Sequence, residues 1–138
     1  MYSADLAASP ELKIVRDFLT AIEQDADEAS LSSFYAPDVQ QHEFPNRFVE
    51  QGATHDLSQL LEGRRRGRQA VKNERYSIKN ALVDGERVAV ELTWTAELKL
   101  PVGKLAAGAI MRANCGVFFR IVDGRIVEQH NFDCFDPF

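Results

Sequence analysis

An Asp-Gly pair at 123–124, set between two β-prone runs, constrains this chain more than any other feature. Asp-Gly accepts the positive backbone angles of a two-residue hairpin turn, so the run ending at Val122 and the run Ile126 to Phe135 are expected to pair as antiparallel strands. Strict alternation along the second run places Val127, Gln129, Asn131, Asp133 and Phe135 on one face. Ile126, Glu128, His130, Phe132 and Cys134 fall on the other. An acid, amides and an imidazole therefore run through a strand expected in the middle of a sheet, where polar groups need partners or a purpose.

Upstream, the pattern is mixed. Ser9-Pro10-Glu11 reads as an N-cap, a proline at the first helical position and an early acid, after a loose tail over residues 1–8. Leu12, Val15, Leu19 and Ile22 recur at helical spacing, widened by Ile14, Phe18 and Ala21. A short second helix is expected from about Asp27 to Tyr35, ended by Pro37. Asp38 to Phe44 reads as a short strand, residues 46–56 as irregular, and Leu57, Leu60 and Leu61 as a third helix disturbed by Gly63 and Gly67. Its basic run, Arg64 to Arg68, reads as a solvated face without function. Strands follow at about 75–83, 86–99 and 109–122 before the last one. Helices then pack on one side of a curved sheet in an α+β plan, forming a single domain over residues 1–138.

A chain of 138 residues with 45% hydrophobic content supports one core. A net charge of −5 argues against a nucleic-acid partner. No apolar run approaches the ~20 residues of a membrane span, and the N-terminus lacks a signal-peptide layout, so a cytoplasmic location is expected. Cys115 and Cys134 have neither metal-ligand nor redox-motif spacing and read as small apolar fillers. No cluster of ligating residues points to a metal, and no cofactor is indicated. His42 and His130 have the parity of the outer sheet face, and His55 falls in a loop or helix start. A sheet capped by helices on one side encloses a ligand cavity and leaves its other face to be covered, for which a homodimer is expected.

The element order, with IVRDFLTAIEQDADEASLSSFYAPDV near the start and FFRIVDGRIVEQHNFDCFDPF at the end, resembles the nuclear-transport-factor-2-like superfamily, in particular its SnoaL-like polyketide-cyclase branch. That resemblance implies a cone-shaped, curved mixed or antiparallel sheet wrapped around three helices from the N-terminal half (the NTF2-like, or cystatin-like, fold), a deep pocket and a dimer. It also implies proton-transfer chemistry in some members and none in others.

Against the ketosteroid-isomerase-like pattern, Glu43 before Phe44-Pro45 stands at the general base, Phe18 at a phenol donor and Val117 near a second acid. Against the limonene-epoxide-hydrolase-like pattern, Asp133-Cys134-Phe135-Asp136 matches the end of the last strand, Gln41 falls on the first, and Thr93 and Thr95 replace an Arg and an Asp. SnoaL-like cyclases place a general base on the last strand, where Asp133 stands. The likeness converges on Gln41, Glu43, Thr93, Thr95, Asn131 and Asp133 as inward positions, with Tyr35, Phe18, Val117 and Phe119 as pocket wall.

Carboxyls held among Phe and Val would titrate high, as a general acid or base at neutral pH requires, and two sharing a site would separate further. One would take a proton alpha to a carbonyl while Asn131 or Thr95 holds the developing oxygen. The alternative is that each acid pairs with a neighbour such as Arg112 or Arg75 and only sets register. Two functions stand together at this point: an isomerase, cyclase or dehydratase acting on a small apolar molecule, or a non-catalytic ligand-binding or dimerisation module of the same fold.

Overall fold

The computed structural model describes residues 9–138, so the expected tail over 1–8 lies outside the described residues. Helix α1 (Pro10–Glu23) begins where the Ser9 hydroxyl accepts the Leu12 amide at 3.1 Å, with Pro10 in the first turn, where no amide donor is needed. It buries Leu12, Val15, Phe18, Leu19 and Ile22. Helix α2 (Glu28–Ser32) is capped by Asp27 and stops before the expected Tyr35, because strand β1 (Tyr35–Glu43) already starts there. Pro37 thus sits inside a strand rather than after a helix. It lies in the stretch where the pairing of β1 shifts register between Tyr35 and Gln40, a place where a missing amide donor is tolerated.

Residues 46–56, expected to be irregular, contain a short strand β2 (Ala53–His55) paired antiparallel with the end of β1. Helix α3 (Leu57–Ala70) opens with a reciprocal capping box between Asp56 and Gln59 and runs unbroken through Gly63 and Gly67. Neither glycine has an atom within 4 Å of where a Cβ would stand, so each costs helix propensity without marking a bend.

Strands β3 (Val71–Asp84), β4 (Arg87–Leu98), β5 (Ile110–Val122) and β6 (Arg125–Phe135) complete a six-stranded mixed sheet in the order β2-β1-β6-β5-β4-β3. Only β1 and β6 run parallel; the other neighbours are antiparallel. Asp123 and Gly124 both adopt positive φ (51° and 75°), the type I′ geometry that the Asp-Gly signal predicts.

One feature of β6 departs from strict alternation. Its ladder with β5 pairs Ile121 with Ile126 but Arg120 with Glu128, so Val127 is an extra residue. The bulge turns Ile126, fully buried, to the same side as Gln129, Asn131 and Asp133. The core gathers the apolar stripe of α1, Leu31, Val39, alternate residues of β4 and β5, and Ile126 on the helix side of the sheet. No helix among the described residues is long and apolar enough to cross a membrane.

Candidate functional site

The helices do not fill the concave side of the sheet. They leave a hollow of about 300 Å³, walled by Phe18, Leu19 and Ile22 of α1, Leu31 of α2 and Leu60 of α3. The sheet contributes Tyr35, Tyr76, Leu92, Trp94, Val117, Phe119 and Phe135. Phe48 packs edge-on against Phe135 at 4.8 Å and stacks on Phe138 at the same spacing, with the Arg47 guanidinium 4.3 Å above the Phe138 ring. The chain end therefore lies against the 46–52 segment beside the hollow.

Into this apolar surround β6 projects Gln129, Asn131 and Asp133, and β1 projects Gln41. The Asn131 carbonyl oxygen accepts two amide hydrogens, one from Gln41 Nε2 and one from Gln129 Nε2, each at 2.9 Å. Asp133 pairs across the ladder with Cys115 on β5 and is hydrogen-bonded by the Cys115 thiol and the Asn131 side chain. Burial pushes the Asp133 carboxyl above its ordinary value, and the charge of Glu43 adds to the rise. The hydrogen bonds from Cys115 and Asn131 oppose it. Burial and the neighbouring carboxylate also raise the Cys115 thiol, which therefore stays protonated as a donor.

Glu43 does not line the hollow. Its two carboxylate oxygens lie 3.3 Å from Asn46 Nδ2 and 3.3 Å from His55 Nε2, at the rim where β1 meets β2. His55, expected in a loop or helix start, is a strand residue partnered with that acid. Thr93 and Thr95 do not reach the hollow either. They lie on the outer face with Arg75, Ser77 and Arg112, where the Thr93 hydroxyl bonds Asn114 Oδ1 at 3.2 Å. Their parity is the reverse of Leu92 and Trp94, which point inward.

Phe18, Tyr35, Gln41, Val117, Phe119, Asn131 and Asp133 are brought together. The proposed structural partners Arg112 and Arg75 engage other groups: Arg112 lies 3.9 Å from Asp136, and Arg75 donates to the Glu74 carbonyl. Cys134 is exposed rather than a filler.

Sequence reasoning passed over three residues of the site. Gln129 had the right face but no role, and Cys115 reads as filler until its cross-strand partner is known. Arg64 is buried inside the basic run: it donates to Glu74 at 2.7 Å and to the Ala26 carbonyl at 3.0 Å, and Glu74 in turn accepts the Trp94 indole N–H at 3.2 Å. Arg64 continues the helical stripe of Leu57 and Leu60, and that periodicity is the signal that separates it from its neighbours. The hydroxyls of Tyr35 and Tyr76 face the same hollow with no hydrogen-bond partner among the described residues. Burial holds both phenols well above their ordinary range, so they remain neutral donors.

The sequence matches the SnoaL-like domain model over residues 15–129, most of its length. The chain belongs to the SnoaL-like domain family. Solved structures agree on the SnoaL-like fold at low identity. IdmH of Streptomyces antibioticus, provisionally assigned as a polyketide cyclase, is 17% identical, with 89% of this chain and 91% of that one covered at a TM-score of 0.74. AclR of Streptomyces galilaeus, provisionally assigned as a hydroxylase, is also 17% identical, covering 89% and 74% at 0.73. A protein of ketosteroid isomerase-like fold from Catenulispora acidiphila, crystallised with trimethylamine, is 18% identical, covering 86% and 83% at 0.68. Among curated proteins none matches this SnoaL-like chain.

Proposed function

We propose that this SnoaL-like protein binds a small, largely apolar organic molecule in the hollow and moves a proton on it with Asp133 as general base. The observation that carries this reading is Asp133 itself: a carboxyl raised by burial, walled by aromatic and aliphatic side chains, and oriented by two donors. In the ionised form it takes a proton from a carbon next to a carbonyl, and the electron pair moves onto the carbonyl oxygen. Tyr35 or Tyr76 supplies the neutral donor for that oxygen, since the Asn131 carbonyl already holds two hydrogens and Thr95 lies outside. Glu43 acts at a distance, keeping the Asp133 proton affinity high through its charge. Isomerisation, aldol-type cyclisation and dehydration all use this step. A 2-tetralone probe tests it: exchange of its α-hydrogens in D2O is expected to be catalysed by the wild type and lost by about 10²–10⁴-fold in Asp133→Asn. Equal exchange in both proteins removes the base from the account.

One feature favours a second reading, a binding module without turnover. Cys115 and Asn131 both stabilise the charged carboxylate, which makes Asp133 a reluctant acceptor of a proton.

The outer face of the sheet supports a homodimer. Phe44 stacks on Phe132 at 4.2 Å, Phe118 meets Phe132 at 5.9 Å, and these rings are 36%, 42% and 52% exposed in the order Phe44, Phe132, Phe118. A second copy would cover them.

A further inference from the structure

The amide chain beside Asp133 has a direction, and that direction selects a ligand. Asn131 has one acceptor and one donor end. Its carbonyl oxygen takes the amide hydrogens of Gln41 and Gln129, and its amide group faces the Asp133 carboxylate. The reverse orientation would set two acceptors, the Asn131 carbonyl and the Asp133 carboxylate, against each other. While Asp133 is ionised, then, the polarity is fixed: both glutamines point their N–H groups at Asn131 and turn their carbonyl oxygens away from it.

Those two oxygens have no hydrogen-bond partner among the described residues. Gln129 is 5% exposed, and its Oε1 is buried with no hydrogen bond, a deficit that ordinarily calls for an explanation. Gln41 is only partly buried, lines the hollow, and its Oε1 has no hydrogen-bond partner among the described residues. The two glutamines share one acceptor atom on Asn131, each committing one of its two amide hydrogens, so neither amide can flip its oxygen toward Asn131 without giving up a bond made at 2.9 Å, and Oε1 stays on the side away from Asn131.

We propose that Gln41, held by Asn131 and braced by Gln129, is a specificity residue that presents a carbonyl acceptor to the ligand, so that the site selects molecules carrying a hydroxyl or N–H donor on an aromatic or enolic ring. This deepens the proposed function and rests on Asp133 being the ionised group of the site. Enols and phenols are the class that meets both demands: an apolar ring for the walls and an O–H for Gln41. A ketone or ether oxygen placed at the same point would face a second acceptor.

The test compares 1-naphthol with 1-methoxynaphthalene, two probes of one ring system that differ in a single donor. Binding to the wild-type protein at neutral pH is measured by calorimetry and by the fluorescence of Trp94, the one tryptophan in the chain and part of the pocket wall. Apolar transfer alone favours the ether, which carries an extra methyl and no donor. The proposal expects the opposite order, with 1-naphthol at least about fivefold tighter, because the donor satisfies an acceptor on the pocket wall that the ether leaves empty. In Gln41→Met that ratio is expected to fall to about one or to invert. A wild-type ratio below fivefold overturns the proposal while leaving the pocket intact. So does a ratio that survives in Gln41→Met, since the donor is then met elsewhere, by Tyr35 or Tyr76. If neither probe binds, the pocket reading falls and this inference falls with it. Should Gln41→Met not fold, the Gln41 side-chain amide signals of the wild type decide. They are expected to shift on addition of 1-naphthol and to stay in place with the ether; equal shifts count against the proposal.

Discussion

Cys115 and Asp133 stand directly opposite each other on β5 and β6, and the thiol of one hydrogen-bonds the carboxylate of the other. The pairing places the charge among apolar side chains while supplying one of its few donors. Burial still dominates, so folding favours the protonated acid. The sign follows from linkage. A carboxyl raised by folding stabilises the native state below its unfolded value near ~3.9, and that contribution is lost as pH rises through the folded value.

Asp133→Asn is therefore expected to match the wild type in stability below about pH 4 and to exceed it increasingly as pH rises through the raised value, reaching a plateau beyond it. Urea denaturation of the two proteins across that range measures the gap. A constant gap, or one of opposite sign, means that the site does not disfavour the charge.

The basic run on α3 should divide sharply. The Arg64 side chain is 8% exposed and faces a Glu74 side chain that is 13% exposed. Arg64→Met removes one partner of a buried pair and is expected to cost about 3–5 kcal/mol. The Arg65 side chain is 62% exposed, and its bond to Glu28 lies at the surface. Arg65→Met is expected to cost less than about 1 kcal/mol. Comparable losses in both would show that Arg64 is not the staple between α3, the end of α1 and β3.

Two glycines should respond oppositely to alanine. At Gly63 a Cβ meets nothing, so Gly63→Ala is expected to stabilise α3 by about 0.5–1 kcal/mol. At Gly52, φ is +70° and a Cβ would come within 2.7 Å of the Glu43 carbonyl oxygen. Gly52→Ala is expected to cost about 2 kcal/mol, from the left-handed backbone and the displaced end of β1. Equilibrium unfolding checks both signs.

For the outer sheet face, light scattering on a sizing column is expected to give a dimer for the wild type. Phe118→Asp should give a monomer that still folds, because Phe118 is 52% exposed within one chain. A monomeric wild type removes the homodimer.

Much of this was legible beforehand, and the failures have a common cause. The Asp-Gly turn and the alternation after it placed Gln129, Asn131 and Asp133 on one face because a hairpin leaves little freedom of register. The same rule misplaces Ile126, since nothing in the residues announces the extra Val127. On β4, Val88, Val90, Leu92 and Trp94 recur at period two and turn to the core and the hollow, while family likeness drew attention to Thr93 and Thr95. A shift of one residue along a strand exchanges its faces, and the period was the better guide. Glu43 had the correct parity, yet the partner that holds it at the rim, His55, sits on a three-residue strand too short to leave a pattern. Arg64 was hidden by its exposed neighbours Arg65 and Arg66, whose charges made the stretch read as surface.

The central claim is that Asp133 is a carboxyl kept high by its apolar surround. Carbon-detected NMR of the Asp133 side-chain carboxyl, titrated in the wild-type protein and assigned with Asp133→Asn, tests it most directly. The account predicts a midpoint clearly above ~3.9, the value of an aspartate in water, and a further change when a ligand fills the hollow. A midpoint at or below that value, indifferent to ligand, would contradict it.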